Sequence, residues 1–161
     1  MSDVVRAISL APVLALVLGC SASPVVSHGG PVRDNVSLID NLRARQLIVE
    51  PVRQAKLELV RGYGTALALS GGPLQRPAEL LSFNYDSNDL GTDGAQVAQE
   101  DASRISRDGT SATTPTGVVH TTYDGPPHLF RRERVIVLYV GDDAIVITLL
   151  TELLGAQFAG R

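Results

Sequence analysis

Residues 134–155 read RVIVLYVGDDAIVITLLTELLG, and this stretch decides the fold class. Val135-Ile136-Val137-Leu138-Tyr139-Val140 is a near-continuous apolar run, as expected of a central strand with both faces covered. Gly141-Asp142-Asp143 then turns the chain into a helix from about Ala144 to Leu154, stopped by Gly155 at the position after the cap. Within the turn, Asp142 is expected to accept from the free helix amides and Asp143 to complement the positive helix end.

Working outward, the preceding segments alternate between strand and helix signals. Asp124-Gly125-Pro126-Pro127 reads as a turn, and Val118 to Tyr123 as a strand with Val119 and Tyr123 on one side. Ser106 to Gly117 is a polar loop. Asp93 to Ile105 carries Val97, Ala98, Ala102 and Ile105 at helical spacing, with Thr92 or Asp93 as cap. Glu79 to Tyr85 alternates cleanly: Leu81, Phe83 and Tyr85 on one face, Ser82 and Asn84 on the other. Gly71-Gly72-Pro73 is a turn, and Leu57 to Val60 with Tyr63 to Ser70 forms one interrupted strand or two short ones. Leu47 to Val52 is a strand with Pro51 near its end. Before it, Asn35 to Arg45 is a helix capped by Asp34 or Ser37, with Arg43 and Arg45 suiting its negative end. Strands outnumber helices and short turns join several neighbours. The pattern predicts a single α+β domain over residues 34–161: a mainly antiparallel sheet of four to five strands with two or three helices on one face.

The N-terminal residues, MSDVVRAISLAPVLALVLGC, are of another kind. Arg6 gives a short positive region, and Ala7 to Leu18 is apolar but too short to span a bilayer. Val17-Leu18-Gly19-Cys20 resembles the lipobox of bacterial lipoproteins. That resemblance implies a signal peptide over 1–19 and a diacylglyceryl group on the Cys20 thiol. It also implies acylation (palmitate or a similar chain) of the new amino terminus, the second hydrophobic signal that stable anchoring needs. Residues 20–33, rich in small residues, Gly and Pro, read as a tether in which His28 is a solvated linker residue. Ser21 lacks the Asp associated with inner-membrane retention. The expected location is therefore the cell membrane or outer membrane, with the domain on the periplasmic or extracellular side.

Composition narrows the function classes. The chain of 161 residues has a formal charge of −3, which is not the electrostatic footprint of a nucleic-acid binder. One cysteine permits no internal disulfide. With no Trp and few Phe and Tyr, platforms for stacking bases or sugars are not expected.

Candidate sites are sparse. Gly62-Tyr63-Gly64 lacks the third glycine of a dinucleotide loop, since Leu67 stands there, and reads as a hairpin or bulge. His120 and His128 flank Asp124, with Asp142-Asp143 at a strand end. Convergence of these groups would suit a metal or acid–base chemistry, although the spacing matches no dedicated motif. Arg131, Arg132 and Arg134 precede the central strand. They either contact an anionic headgroup, polymer or partner, or guard a strand edge. The last helix is apolar nearly all round and is either sandwiched in the core or offers a stripe to a partner. No Gly-x-Ser-x-Gly elbow is present, no cofactor is implied, and Cys20 is committed to the lipid.

From about Leu38 onward, and best in Pro126-Pro127-His128, RVIVLYVGDD and LLTELLGAQFAGR, the chain resembles a group of bacterial secreted and lipoprotein-like proteins without an assigned activity. The segment Lys56 to Arg76 departs from that group. The resemblance implies an envelope location and a compact domain, and carries no catalytic residue. The expectation is a membrane-anchored, non-enzymatic binding domain for an envelope protein or component, marked by an apolar or basic patch. The alternatives are a small-ligand binder with a largely apolar pocket, or a small hydrolase or metalloenzyme using His120 or His128.

Overall fold

The computed structural model describes residues 30–86 and 93–161. The expected signal peptide, Cys20, His28 and Thr92 lie outside the described residues. In chain order the elements are α1 (Asn35–Ala44), β1 (Leu47–Ala55), β2 (Gly64–Gly71), β3 (Ala78–Asn84), α2 (Gly94–Arg104), β4 (Ser111–Thr114), β5 (Gly117–His120), β6 (Pro127–Arg132), β7 (Val135–Val140), α3 (Ala144–Leu154) and β8 (Ala159–Gly160). Six strands form one antiparallel sheet in the order β1-β2-β3-β7-β6-β8, and β4-β5 is a separate hairpin.

The α+β class stands, with corrections of detail. The main sheet has six strands rather than four or five. The additions are β8 and β6, whose opening proline and closing arginines hide its strand character. Pro127 is tolerated because it is the first residue of its strand. The polar loop after α2 also holds a strand, β4, while β5 stops at His120 short of Tyr123.

The helices do not share one face. Leu38 and Leu42 of α1 and Val146, Leu149, Leu150, Leu153 and Leu154 of α3 pack with Leu67, Leu69, Leu80, Val135 and Val137. Val97, Ala98 and Ala102 of α2 pack with Phe83, Tyr85, Leu129, Ile136 and Leu138 on the opposite side. The reason lies in β7. Successive side chains of a strand point to opposite faces, so an unbroken apolar run places Ile136 and Leu138 where water must also be excluded. Of the helices α2 covers that side, together with Leu57, Leu59, Val60 and the β4-β5 hairpin.

The segment before α1 is also packed. Val32 is buried in the first core, and the Asn41 side chain donates to the Gly30 carbonyl at 3.0 Å. Residues 30–33 therefore pack as part of the folded unit. Asp34 and Ser37 together cap α1, the Ser37 amide donating to Asp34 Oδ1 at 2.8 Å and the Asp34 amide donating to Ser37 Oγ at 3.0 Å. At α3 the cap is Asp143, which accepts from the Ile145 amide at 2.9 Å. Asp142 points outward instead, with Arg76 at 4.0 Å, so the expected capping role shifts by one residue.

Both sheet edges are blunted. β1 carries Pro51 and a register shift between Pro51 and Arg53, and β8 is two residues long.

Candidate functional site

Of the residues singled out from sequence, His128 is buried, whereas His120, Asp124 and Asp142 are exposed and the three arginines lie between. His128 is buried in β6, its Nδ1 lies 2.8 Å from Gln157 Oε1, and its ring stacks on Tyr139 at 6.1 Å between centroids. His120 ends β5 on the surface and shares an open cleft with Asp124, Tyr123 and Arg161. The fold thus brings His120 and Asp124 to one cleft and leaves His128 elsewhere. Among the described residues, no group of three or more His, Cys, Asp or Glu side chains is placed to hold a metal ion.

The three arginines are divided. Arg131 and Arg132 lie inside β6, opposite Ile136 and Val135, and therefore face opposite sides of the sheet. Arg132 donates to the Leu153 carbonyl at 3.3 Å and so caps the last turn of α3. Arg134 donates to Asp34 Oδ2 at 3.0 Å. The Ser37 amide and hydroxyl, reinforced by Arg134, hold the Asp34 carboxyl below the usual carboxylate range. Two of the three arginines are thus engaged in seating helices, and no common basic patch forms. The α3 helix likewise buries Val146, Leu149, Leu150, Leu153 and Leu154 and shows water Ala144, Thr148, Thr151 and Glu152.

Among the described residues the one deeply buried carboxylate is Asp101 of α2, 2% exposed. It accepts from the Arg61 amide at 2.8 Å, from Arg61 Nε at 2.7 Å and from the Tyr85 hydroxyl at 2.7 Å. Burial, and then the carboxylate beside it, push the Tyr85 phenol far up. Two of these three hydrogen bonds pin the 57–63 loop onto α2 through Arg61, and the third ties in Tyr85 after β3. That makes it a structural clasp.

The feature that sequence reasoning missed lies where α1 begins. Three opposed residues, Gln54, Thr65 and Ser82, form a polar row across β1, β2 and β3. Their face of the sheet is elsewhere lined by Leu67, Leu69 and Leu80 and covered by helices. Asn35, the first residue of α1, and Asn84 close one side of this row; Pro51, Val52, Arg53 and Tyr63 line the rest. Together they form an open cleft of about 470 Å³, within the size range of small-molecule sites.

The floor is fixed by hydrogen bonds. Ser82 Oγ donates to Asn35 Oδ1 at 2.8 Å, and the Asn35 amide donates to Asn84 Oδ1 at 3.1 Å. A backbone N–H only donates, so the Asn84 carbonyl oxygen must face it, leaving the Asn84 NH₂ free for the cleft. Gly64 permits the close approach of β2 to β3, since a Cβ there would sit 2.5 Å from the Ser82 carbonyl oxygen. The rim is apolar and exposed, with Tyr63 at 64% and Val52 at 56%. This cleft is neither the basic patch nor the apolar pocket expected from sequence. The local signal was Thr65 and Ser82 interrupting inward-facing leucines, and only the register showed them to be neighbours.

Comparison with known proteins finds no matching family model, no matching curated protein and no matching solved structure. No described helix is long and apolar enough to cross a membrane.

Proposed function

We propose that this chain is a lipid-anchored protein of the bacterial envelope. Cys20 carries the anchor, and the domain is a non-enzymatic binding module that uses the polar-floored cleft at the start of α1. The observation that carries the binding role is the Gln54–Thr65–Ser82 row, a break in apolar patterning on an otherwise leucine-lined face. Breaks of this kind concentrate at functional sites, because stability alone would fill them with apolar side chains. The buried acid–base groups support binding over catalysis: Asp101 is spent on Arg61 and Tyr85, and His128 on Gln157. The anchor rests on the sequence Val17-Leu18-Gly19-Cys20. Because the folded unit includes Gly30, the anchor and the domain are joined by no more than a short tether.

Two measurements test this. Detergent-phase partitioning of the full chain is expected to shift to the aqueous phase on Cys20→Ser, and unchanged membrane association refutes the anchor. The Cys20→Ser chain is then sedimented with washed envelope fragments, alone and with Thr65→Arg, which fills the cleft from its floor. Loss of co-sedimentation with Thr65→Arg is expected. Equal co-sedimentation, with the variant's circular dichroism unchanged, refutes the cleft as the binding site.

A further inference from the structure

Resting on that reading of the cleft, we infer that its ligand is a neutral, polyhydroxylated molecule: a short uncharged glycan, stacked on Tyr63. Charge decides first. Of the cleft residues only Arg53 is charged, and its guanidinium is held by Glu79 at 2.6 Å. The wall therefore offers no net charge to an anion or a cation, and an ionic ligand would lose hydration without a counter-charge.

Hydrogen-bonding capacity decides next. Asn84 and Asn35 each have the carbonyl oxygen of the side chain occupied inside the protein, leaving amide hydrogens as donors. Gln54 and Thr65 add groups that both donate and accept. A wall of neutral groups with mixed roles is matched by hydroxyls, each of which also donates and accepts. The rim supplies the remaining half of the match. Pro51, Val52 and the exposed Tyr63 ring present apolar surface beside the polar floor. The Tyr63 hydroxyl makes no hydrogen bond among the described residues, so its ring is not committed to the fold. A pyranose has the same division, an apolar C–H face and an edge of hydroxyls. Aromatic scarcity in the composition argued against such a platform, yet a single tyrosine at the cleft mouth is sufficient for one ring.

An extended peptide adding to the sheet is the competing occupant. Pro51 and the register shift in β1 remove the regular row of donors and acceptors such a strand requires.

The test uses the full-length Cys20→Ser chain and a panel of neutral trisaccharides (maltotriose, cellotriose and triacetylchitotriose), read by amide chemical shifts. At least one is expected to give saturable changes confined to Gln54, Tyr63, Thr65 and Asn84. Tyr63→Ala is expected to weaken that binding about tenfold, as loss of one stacking contact would, while Tyr63→Phe retains it. Absence of saturable change with every member overturns the inference, as does equal affinity in Tyr63→Ala. Envelope co-sedimentation that remains sensitive to Thr65→Arg but is untouched by competing trisaccharide would overturn the glycan and leave the binding role standing.

Discussion

Removing the Asp101 carboxylate is the most informative single perturbation of this fold. Asp101→Ala leaves the Tyr85 hydroxyl buried and unpartnered, an orphan that costs about 1–3 kcal/mol. It also removes the acceptor of the Arg61 amide, about 1 kcal/mol. The ion pair itself is discounted to about 1 kcal/mol or less, because Arg61 is 44% exposed and keeps Glu100 at 3.1 Å. Alanine's helix propensity returns about 0.5 kcal/mol. The net is a loss of about 3 kcal/mol, a substantial part of the ~5–15 kcal/mol holding a domain of this size. Urea unfolding followed by tyrosine fluorescence, unmasked by any Trp, measures it directly. The double variant Asp101→Ala/Tyr85→Phe has no orphaned hydroxyl, so it is expected to be about 1 kcal/mol more stable than the two single losses added. A cost below about 1 kcal/mol for Asp101→Ala, or strict additivity in the cycle, would refute the clasp.

Gly94→Ala would ordinarily help a helix by about 1 kcal/mol, but here the new Cβ collides with the Tyr85 carbonyl. A net loss of stability is expected, and a gain in thermal midpoint contradicts the packing of α2. Asp34 titrates below its unfolded value, so its contribution is present above about pH 4 and disappears as pH falls through its lowered folded pKa. Because Asn caps as well as Asp, the stability difference between the native chain and Asp34→Asn is expected to be about 0.5–1 kcal/mol at neutral pH. It should vanish in acid, and a difference that is flat with pH counts against the Arg134 and Ser37 contacts. Arg132→Ala is expected to cost about 0.5–1 kcal/mol through the exposed end of α3, with no effect on the cleft's chemical shifts. Shift changes at Gln54 or Thr65 in that variant would show that the two ends of the sheet are coupled.

Much of the fold is legible in local patterns. The periodicities of Asn35–Ala44, Gly94–Arg104 and Ala144–Leu154 carry the three helices, and Asp34, Asp93 and Asp143 cap them with side-chain oxygens. The alternation in Glu79–Tyr85 correctly separates Ser82 from Phe83. Errors fall where one signal overrides another. In β6 the prolines and arginines obscure a strand that tertiary pairing with β7 imposes. The placement of helices on one face failed although the two-sided run in β7 already required cover on both.

What the sequence by itself determined is what depends on near neighbours: the three helices, the caps at Asp34 and Asp93, the most strongly patterned strands, the apolar run ending at Cys20, and the absence of a strong net charge. These follow from dihedral preferences, periodicity and composition, which are properties of a few consecutive residues. Only the tertiary structure decided which side chains meet. His120 and His128 are near in sequence and part in space, whereas Gln54, Thr65 and Ser82 come from three strands and line up. Register is set by the summed burial of whole strands, and a slip of one residue would turn every side chain to the other face. The polar cleft is therefore a property of the assembled sheet, written in no single segment of the chain.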